Sequence, residues 1–169
     1  MVVLVKHYVI GGQDAVAVDE VAGMKWLRMA AEAEDPFSMG DLGRRLLDGD
    51  GVAPDPVEGL KWLTRAVEQG EPKAMSALGR RLLDGKGVPV DRKRGTELLR
   101  GAAERGYPYA MTVLGGRLLD GRGVVSDPEE GLVWLTKAAE QNYKQAMSIL
   151  GRRLLDGVGG QTDVASGVE

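Results

Sequence analysis

Between Pro72 and Gly85 the apolar residues Met75, Leu78 and Leu82 recur at i, i+3 and i+7, one stripe along a helix. Lys73, Ser76, Arg80 and Asp84 hold a second, polar face of the same helix. Gly85 and Gly87 stop the pattern, because glycine takes the left-handed backbone that ends helices. A different helix is predicted over Asp55–Gly70, with Leu60, Leu63 and Val67 flanked by Trp62 and Ala66. It opens with Asp55 at the N-cap, Pro56 at the first helical position and Glu58 three residues on, the spacing of a capping box. No repeated segment sustains period-two alternation, so an all-α fold without a sheet is expected.

The pair of patterns returns every 36 residues: Leu42, Leu78, Leu114 and Leu150 keep that phase. So do Trp26, Trp62 and Trp134 with Leu98 in the missing slot, and Asp19, Asp55, Asp91, Asp127 and Asp163. "LGRRLLDG" stands at Leu42–Gly49, Leu78–Gly85 and Leu150–Gly157, and returns as "LGGRLLDG" at Leu114–Gly121. Such a period marks stacked supersecondary units. One solenoid over residues 1–169 is expected: a partial unit at 1–35, full units at 36–71, 72–107 and 108–143, and a partial unit at 144–169. Glycine inside a helix costs about 1 kcal/mol relative to alanine. The chain nevertheless places one at Gly43, Gly79, Gly115 and Gly151, and at Gly59, Gly95 and Gly131 in the second helix. The phase predicts hairpins that cross where neither helix can hold a side chain.

The motif A-x-x-x-L-G-x-x-L-x-x-G-x-G-V-x-x-D followed by G-L-x-W-L-x-x-A resembles the Sel-one-like repeat, a branch of the tetratricopeptide superfamily, from Asp19 to about Asp163. Leu46, Leu82, Leu118 and Leu154 stand where that family often has Tyr or Phe, and Gly59 where it often has Ala. The resemblance implies a right-handed superhelix of antiparallel helix pairs. It also implies an adaptor or scaffold that binds a protein or peptide in a concave groove lined by the first helix of each pair.

Stacking would turn the polar face of that first helix into ladders: Arg44, Arg80, Gly116 and Arg152; Asp48, Asp84, Asp120 and Asp156; and, at the border, Leu47, Leu83, Leu119 and Leu155. Thr112 shares the Ser76 slot. The top row, Phe37, Lys73, Tyr109 and Gln145, does not repeat, and selectivity is expected there. The alternative for Phe37 and Tyr109 is packing against the preceding unit. Each ladder Asp sits in the last turn of its helix, where the macrodipole disfavours an anion by about 0.3–1 kcal/mol. Compensation could come from Arg80, four residues before Asp84, or from the unbroken row Arg45, Arg81, Arg117 and Arg153. An inter-repeat network that fixes the stacking is favoured over a charged grip on a polar peptide. Gly116 removes one rung and leaves room mid-groove. "DRKRG" at Asp91–Gly95, with Arg100, forms a small basic patch expected to be solvated.

Composition narrows the function. The absence of Cys removes disulfides, thiolate catalysis and the usual structural zinc sites, and fits a cytoplasmic location. A net charge of −3 counts against a general nucleic-acid binder, and no apolar run approaches the roughly 20 residues that span a bilayer. The opening "MVVLVKHYVIGG" with Ala15–Ala17 is superficially like a signal peptide, but Lys6 and His7 interrupt it and no basic segment precedes it. Leu4–Gly11 instead fills the slots of "LGRRLLDG". His7 is the single His, so a Ser–His or Cys–His nucleophile pair has little to draw on. The "DGKGV" and "DGRGV" turns lack the Lys–Ser/Thr of a phosphate loop. A non-enzyme with no cofactor and no metal site is expected. Two other readings stay open. Met147, Leu150 and Leu154 are followed only by "QTDVASGVE", the opening of a partner helix, so the repeat ends could pair into a homo-oligomer. A small-molecule or catalytic site beside Gly116 is the least favoured.

Overall fold

A computed structural model describes residues 19–157. The reading of Leu4–Gly11 and His7, the position Asp163, and the "QTDVASGVE" tail lie outside the described residues. Within them the chain forms eight α-helices and no strand: α1 Glu20–Glu32, α2 Pro36–Asp48, α3 Pro56–Glu68, α4 Pro72–Asp84, α5 Arg92–Glu104, α6 Pro108–Asp120, α7 Pro128–Glu140 and α8 Lys144–Leu155. The even-numbered helices are the first of each repeat and the odd-numbered ones the second.

Each second helix starts at the predicted aspartate. Asp19, Asp55, Asp91 and Asp127 accept from the backbone N–H three residues on, at 2.8–3.0 Å. Only half of the capping box forms, however. The Glu58 carboxylate turns away to Arg28 and Trp62, and the Asp55 N–H donates to the Leu46 carbonyl instead. That bond ties the second helix back to the first within one hairpin. The first helices α2, α4 and α6 close on Gly49, Gly85 and Gly121, whose φ values of 64–71° explain the glycine.

The hairpins cross at paired glycines, as their phase predicts. A Cβ on Gly43 would lie 2.6 Å from the Leu63 nitrogen and 2.7 Å from the Gly59 carbonyl oxygen. Gly79 with Gly95, and Gly115 with Gly131, meet in the same way at 2.7–2.9 Å. Backbone is in van der Waals reach of backbone, so a side chain on either helix would force the pair apart.

Leu47, Leu83 and Leu119 close over the second-helix glycines Gly59, Gly95 and Gly131. This corrects their expected place at the border of the groove: Leu83 and Leu119 are buried and Leu47 half-buried, all facing their own hairpin partner. The apolar stripe of the first helix is accordingly wider than Met75, Leu78 and Leu82, and Leu83 is buried more deeply than Leu82. Met39, Leu42, Leu63, Leu99, Leu114 and Leu135 are the large fully buried apolar side chains. They belong to two core clusters that meet along α4, with Val67 and Leu98 touching both.

Each first helix touches the next, α2 with α4, α4 with α6 and α6 with α8, more closely than successive second helices touch each other. The stack therefore curves with the first helices inside. This all-α repeat solenoid places one face of four helices along its hollow side.

Candidate functional site

The non-repeating top row lies at the start of the first helices. Phe37 is 55% exposed, with the Lys73 ammonium of the next unit 4.7 Å from its ring centroid. Tyr109 is half-buried, and the Arg80 guanidinium of the preceding unit lies 5.6 Å from its ring while donating to its hydroxyl. Both aromatics thus meet a neighbouring unit through a cation, and Phe37 stays exposed. Gln145 is exposed.

Below it, the Arg row is uneven. Arg44 donates to Asp41 at 3.2 Å and to Asp50 at 3.0 Å. Arg80 is exposed and makes no carboxylate pair among the described residues, so the pairing with Asp84 four residues on does not form. Gly116 faces open space, with nothing within 4 Å of a Cβ built there. Arg152 is exposed.

The Asp ladder is satisfied from the following repeat. Arg81 donates to Asp48 at 2.7 Å, Arg117 to Asp84 at 2.6 Å, and Arg153 to Asp120. Arg81 and Arg117 are only 7% exposed, and each also donates to a loop carbonyl of its own unit, Lys86 or Arg122. One guanidinium therefore neutralises the anion at the preceding helix end and pins its own turn. Burial raises the Asp48 carboxyl, but the hydrogen bonds from Arg81 and Lys86 outweigh it and hold the group below the usual carboxylate range. Asp156, at the last rung, is exposed.

Two positions expected on this surface are not on it. Ser76 is 1% exposed and Thr112 2%. Gly40 holds their slot in α2, where a Cβ would sit 3.2 Å from Ala74 of α4, so the slot faces the next first helix rather than the groove. Thr112 spends its hydroxyl on the Pro108 carbonyl at 2.8 Å.

The outer face carries an arrangement that the 36-residue reading missed. Arg28 of α1 donates to Glu58 of α3, which also accepts the Trp62 indole N–H at 3.1 Å. Arg100, Glu130 and Trp134 repeat this between α5 and α7, with the indole bond at 2.9 Å. Arg65 and Lys137 cover the outer faces of the two indoles at 4.9 and 4.6 Å. Hydrogen bonds from Arg28 and Arg100 pull the Glu58 and Glu130 carboxyls below their ordinary value, burial opposing. The signal was present in the chain: Arg28, Thr64, Arg100 and Thr136 alternate, a 72-residue period over the 36-residue one. Arg100 is thereby tied to Glu130 and does not add to the exposed Arg92, Lys93 and Arg94.

Tyr107 and Tyr143 also escaped the sequence reading. They occupy the N-cap slot that Asp35 and Glu71 fill in α2 and α4, and they make no side-chain cap. Released from capping, both line a depression of about 330 Å³ with Arg44, Lys73, Arg80 and Tyr109. Among the described residues no group of three or more His, Cys, Asp or Glu could hold a metal, and no helix is long and apolar enough to cross a membrane.

Comparison with known proteins places this architecture. The chain is similar to the protective antigen c5321 of uropathogenic Escherichia coli, which displays an SLR fold, at 31% identity and a TM-score of 0.75 over 83% of this chain. It spans 30% of that protein. A Sel1 repeat protein from Oxalobacter formigenes matches at 32% identity and a TM-score of 0.66, over 77% of this chain and 98% of that one. Cysteine-rich protein B of Helicobacter pylori shares the fold at 19% identity and a TM-score of 0.62, over 78% and 94% of the two chains. No curated protein matches the sequence. Residues 10–35, 36–71, 72–107 and 108–143 each match the Sel1 repeat, and with its glycine-crossed hairpins stacked through an Arg–Asp ladder this chain belongs to the Sel1 repeat family.

Proposed function

We propose that this protein is a non-catalytic adaptor that binds a protein or peptide segment along the hollow side of the solenoid. Sel1 repeat proteins are in general helical scaffolds for protein interaction, and the finer reading rests on one observation. The first helices present chemically distinct side chains, exposed Phe37 and Gln145 and half-buried Lys73 and Tyr109, above a ladder whose own charges are mutually satisfied. A ladder already neutralised within the protein positions the helices. The varied row above it is free to discriminate. The lack of Cys supports a cytoplasmic setting for this role.

A photo-crosslinking residue at position 109, compared with one at exposed Lys61 on the outer face, tests the proposal. Partner capture from the inner position, lost on Arg80→Glu, supports it. Equal capture from both positions, indifferent to Arg80, rejects it.

Self-association through repeat ends is the second reading. It is favoured by α8, where Met147 and Leu154 are exposed and Leu155 is 86% exposed among the described residues. Light scattering over a concentration series tests it: an unchanging monomer mass, or association that persists in Leu155→Glu, removes it.

A further inference from the structure

We infer that the depression between α4, α6 and α8 receives the carboxylate of an acidic side chain in the bound peptide. This rests on the groove reading and adds the chemistry of the partner. Four units contribute to the site: Arg44 from α2, Lys73 and Arg80 from α4, Tyr107 and Tyr109 around the start of α6, and Tyr143 before α8. No carboxylate lines it.

The surrounding charge is unbalanced. Arg44, Arg45 and Lys73 share the carboxylates of Asp41 and Asp50, with Lys73 no nearer than 3.9 Å to Asp41. Arg80 adds a further cation, and the neighbouring ladder anions are occupied, Asp48 by Arg81 and Lys86 and Asp84 by Arg117. Glu71 adds an anion near Tyr107, engaged by the Lys73 and Ala74 backbone N–H groups. Against Asp41, Asp50 and Glu71 the four cations Arg44, Arg45, Lys73 and Arg80 still leave an excess of one, so an anionic guest meets a net positive field without displacing an existing pair.

The site is also held in shape. Arg80 is braced on the Tyr109 ring and uses one guanidinium N–H on the tyrosine hydroxyl. The rest of its five-donor fork is left for a bidentate carboxylate. Tyr107 packs 6.0 Å from Tyr109 at 55°, giving a tilted aromatic wall. The Tyr107 phenol is protonated at neutral pH, as any tyrosine is, and can donate; burial raises it further. An open depression of this kind buries little of a free small acid. A peptide lying along the row from Phe37 to Gln145 gains the remaining contact from its chain, and the carboxylate sets its register.

Two fluorescein-labelled peptides, identical except for a central Leu-Glu-Glu-Leu or Leu-Gln-Gln-Leu, test the inference by anisotropy titration of the full chain. The glutamate peptide is expected to bind at least about tenfold more tightly, with the preference falling as salt rises. Arg80→Gln should abolish that preference and Tyr109→Phe should reduce it, with helical content unchanged by circular dichroism; Arg92→Gln on the outer face should leave it intact. Equal binding of the two peptides, a preference that survives Arg80→Gln, or no binding of either overturns the carboxylate assignment. Gly116→Trp, which fills open space on the inner row, separates the two readings. If both peptides bind equally and Gly116→Trp blocks both, the groove stands and the carboxylate site alone falls.

Discussion

The inner and outer sides of this solenoid are stitched differently. On the inside an Arg–Asp rung joins every pair of neighbouring repeats from Asp48 to Arg153, with the arginine buried in the two rungs made by Arg81 and Arg117 and half-buried in the last, made by Arg153. On the outside the Arg–Glu–Trp tie joins α1 to α3 and α5 to α7, and no side-chain hydrogen bond joins α3 to α5. There Thr64 stands where Arg28 and Arg100 stand in their units, and Arg94 replaces Glu58 and Glu130. Leu98, in the Trp slot, and Val67 make that joint apolar. The inner spacing is set by these rungs, most firmly where Arg81 and Arg117 are buried. The outside follows, and can omit a tie without losing register. Repeats consequently couple as pairs on one side and as a continuous file on the other, the nearest-neighbour energetics of a solenoid with two interface strengths.

Substitutions can separate these layers. The largest effect belongs to the crossing that both sides depend on. Gly79→Ala places a methyl group 2.9 Å from the Gly95 carbonyl oxygen and should destabilise by about 2–3 kcal/mol in urea titration. Gly116→Ala, in the same kind of helix but open to solvent, should instead stabilise by about 0.5–1 kcal/mol. If both glycines respond alike, close approach is not what keeps them.

The inner ladder comes next. Arg81→Ala removes a buried cation with packing on its stem and should cost about 2 kcal/mol, whereas Arg80→Ala, exposed, should stay within about 0.5 kcal/mol. A smaller, opposite change tests the outer gap. Thr64→Arg with Arg94→Glu should install the missing tie and add about 0.5–1 kcal/mol, raising amide protection in α3 and α5 above that of the parent.

Acid gives the smallest effect. The folded-state carboxyls of Asp48, Glu58 and Glu130 lie below their unfolded values, so their stabilisation is complete above the unfolded carboxylate range of about 4 and is lost as pH falls through the lowered values. Glu58→Gln with Glu130→Gln should flatten the fall in melting temperature over that acid window and leave its slope at neutral pH unchanged.

Particular residues show how far the chain can be read without coordinates. The aspartate caps, the C-terminal glycines and the crossing glycines were legible because each answers to a constraint on the local backbone that only a few residue types meet. The Glu58 half of the capping box was misleading: a long carboxylate chooses among partners, and Arg28 lies in another repeat. Ser76 looked like a surface residue because the helical wheel of an isolated helix has only one buried side. Stacking buries a second, and Leu83 needed a third contact with its own hairpin partner. Tyr107 and Tyr143 could be noticed as departures from an acidic cap, but their meeting with Arg80 depends on the pitch of the stack.

The sequence by itself determined the repeating hairpin: where each helix starts and stops, and the points at which two backbones touch. These are set by short-range sterics and hydrogen bonding, which a residue imposes wherever it stands. Only the tertiary structure decided which arginine answers which aspartate, that Arg81 is buried while Arg80 is not, and that Arg28 and Arg100 reach Glu58 and Glu130 across the outer joints. Neighbouring repeats meet across some 33 residues of chain, and one step of helical rotation decides whether a guanidinium turns into the stack or out into the groove.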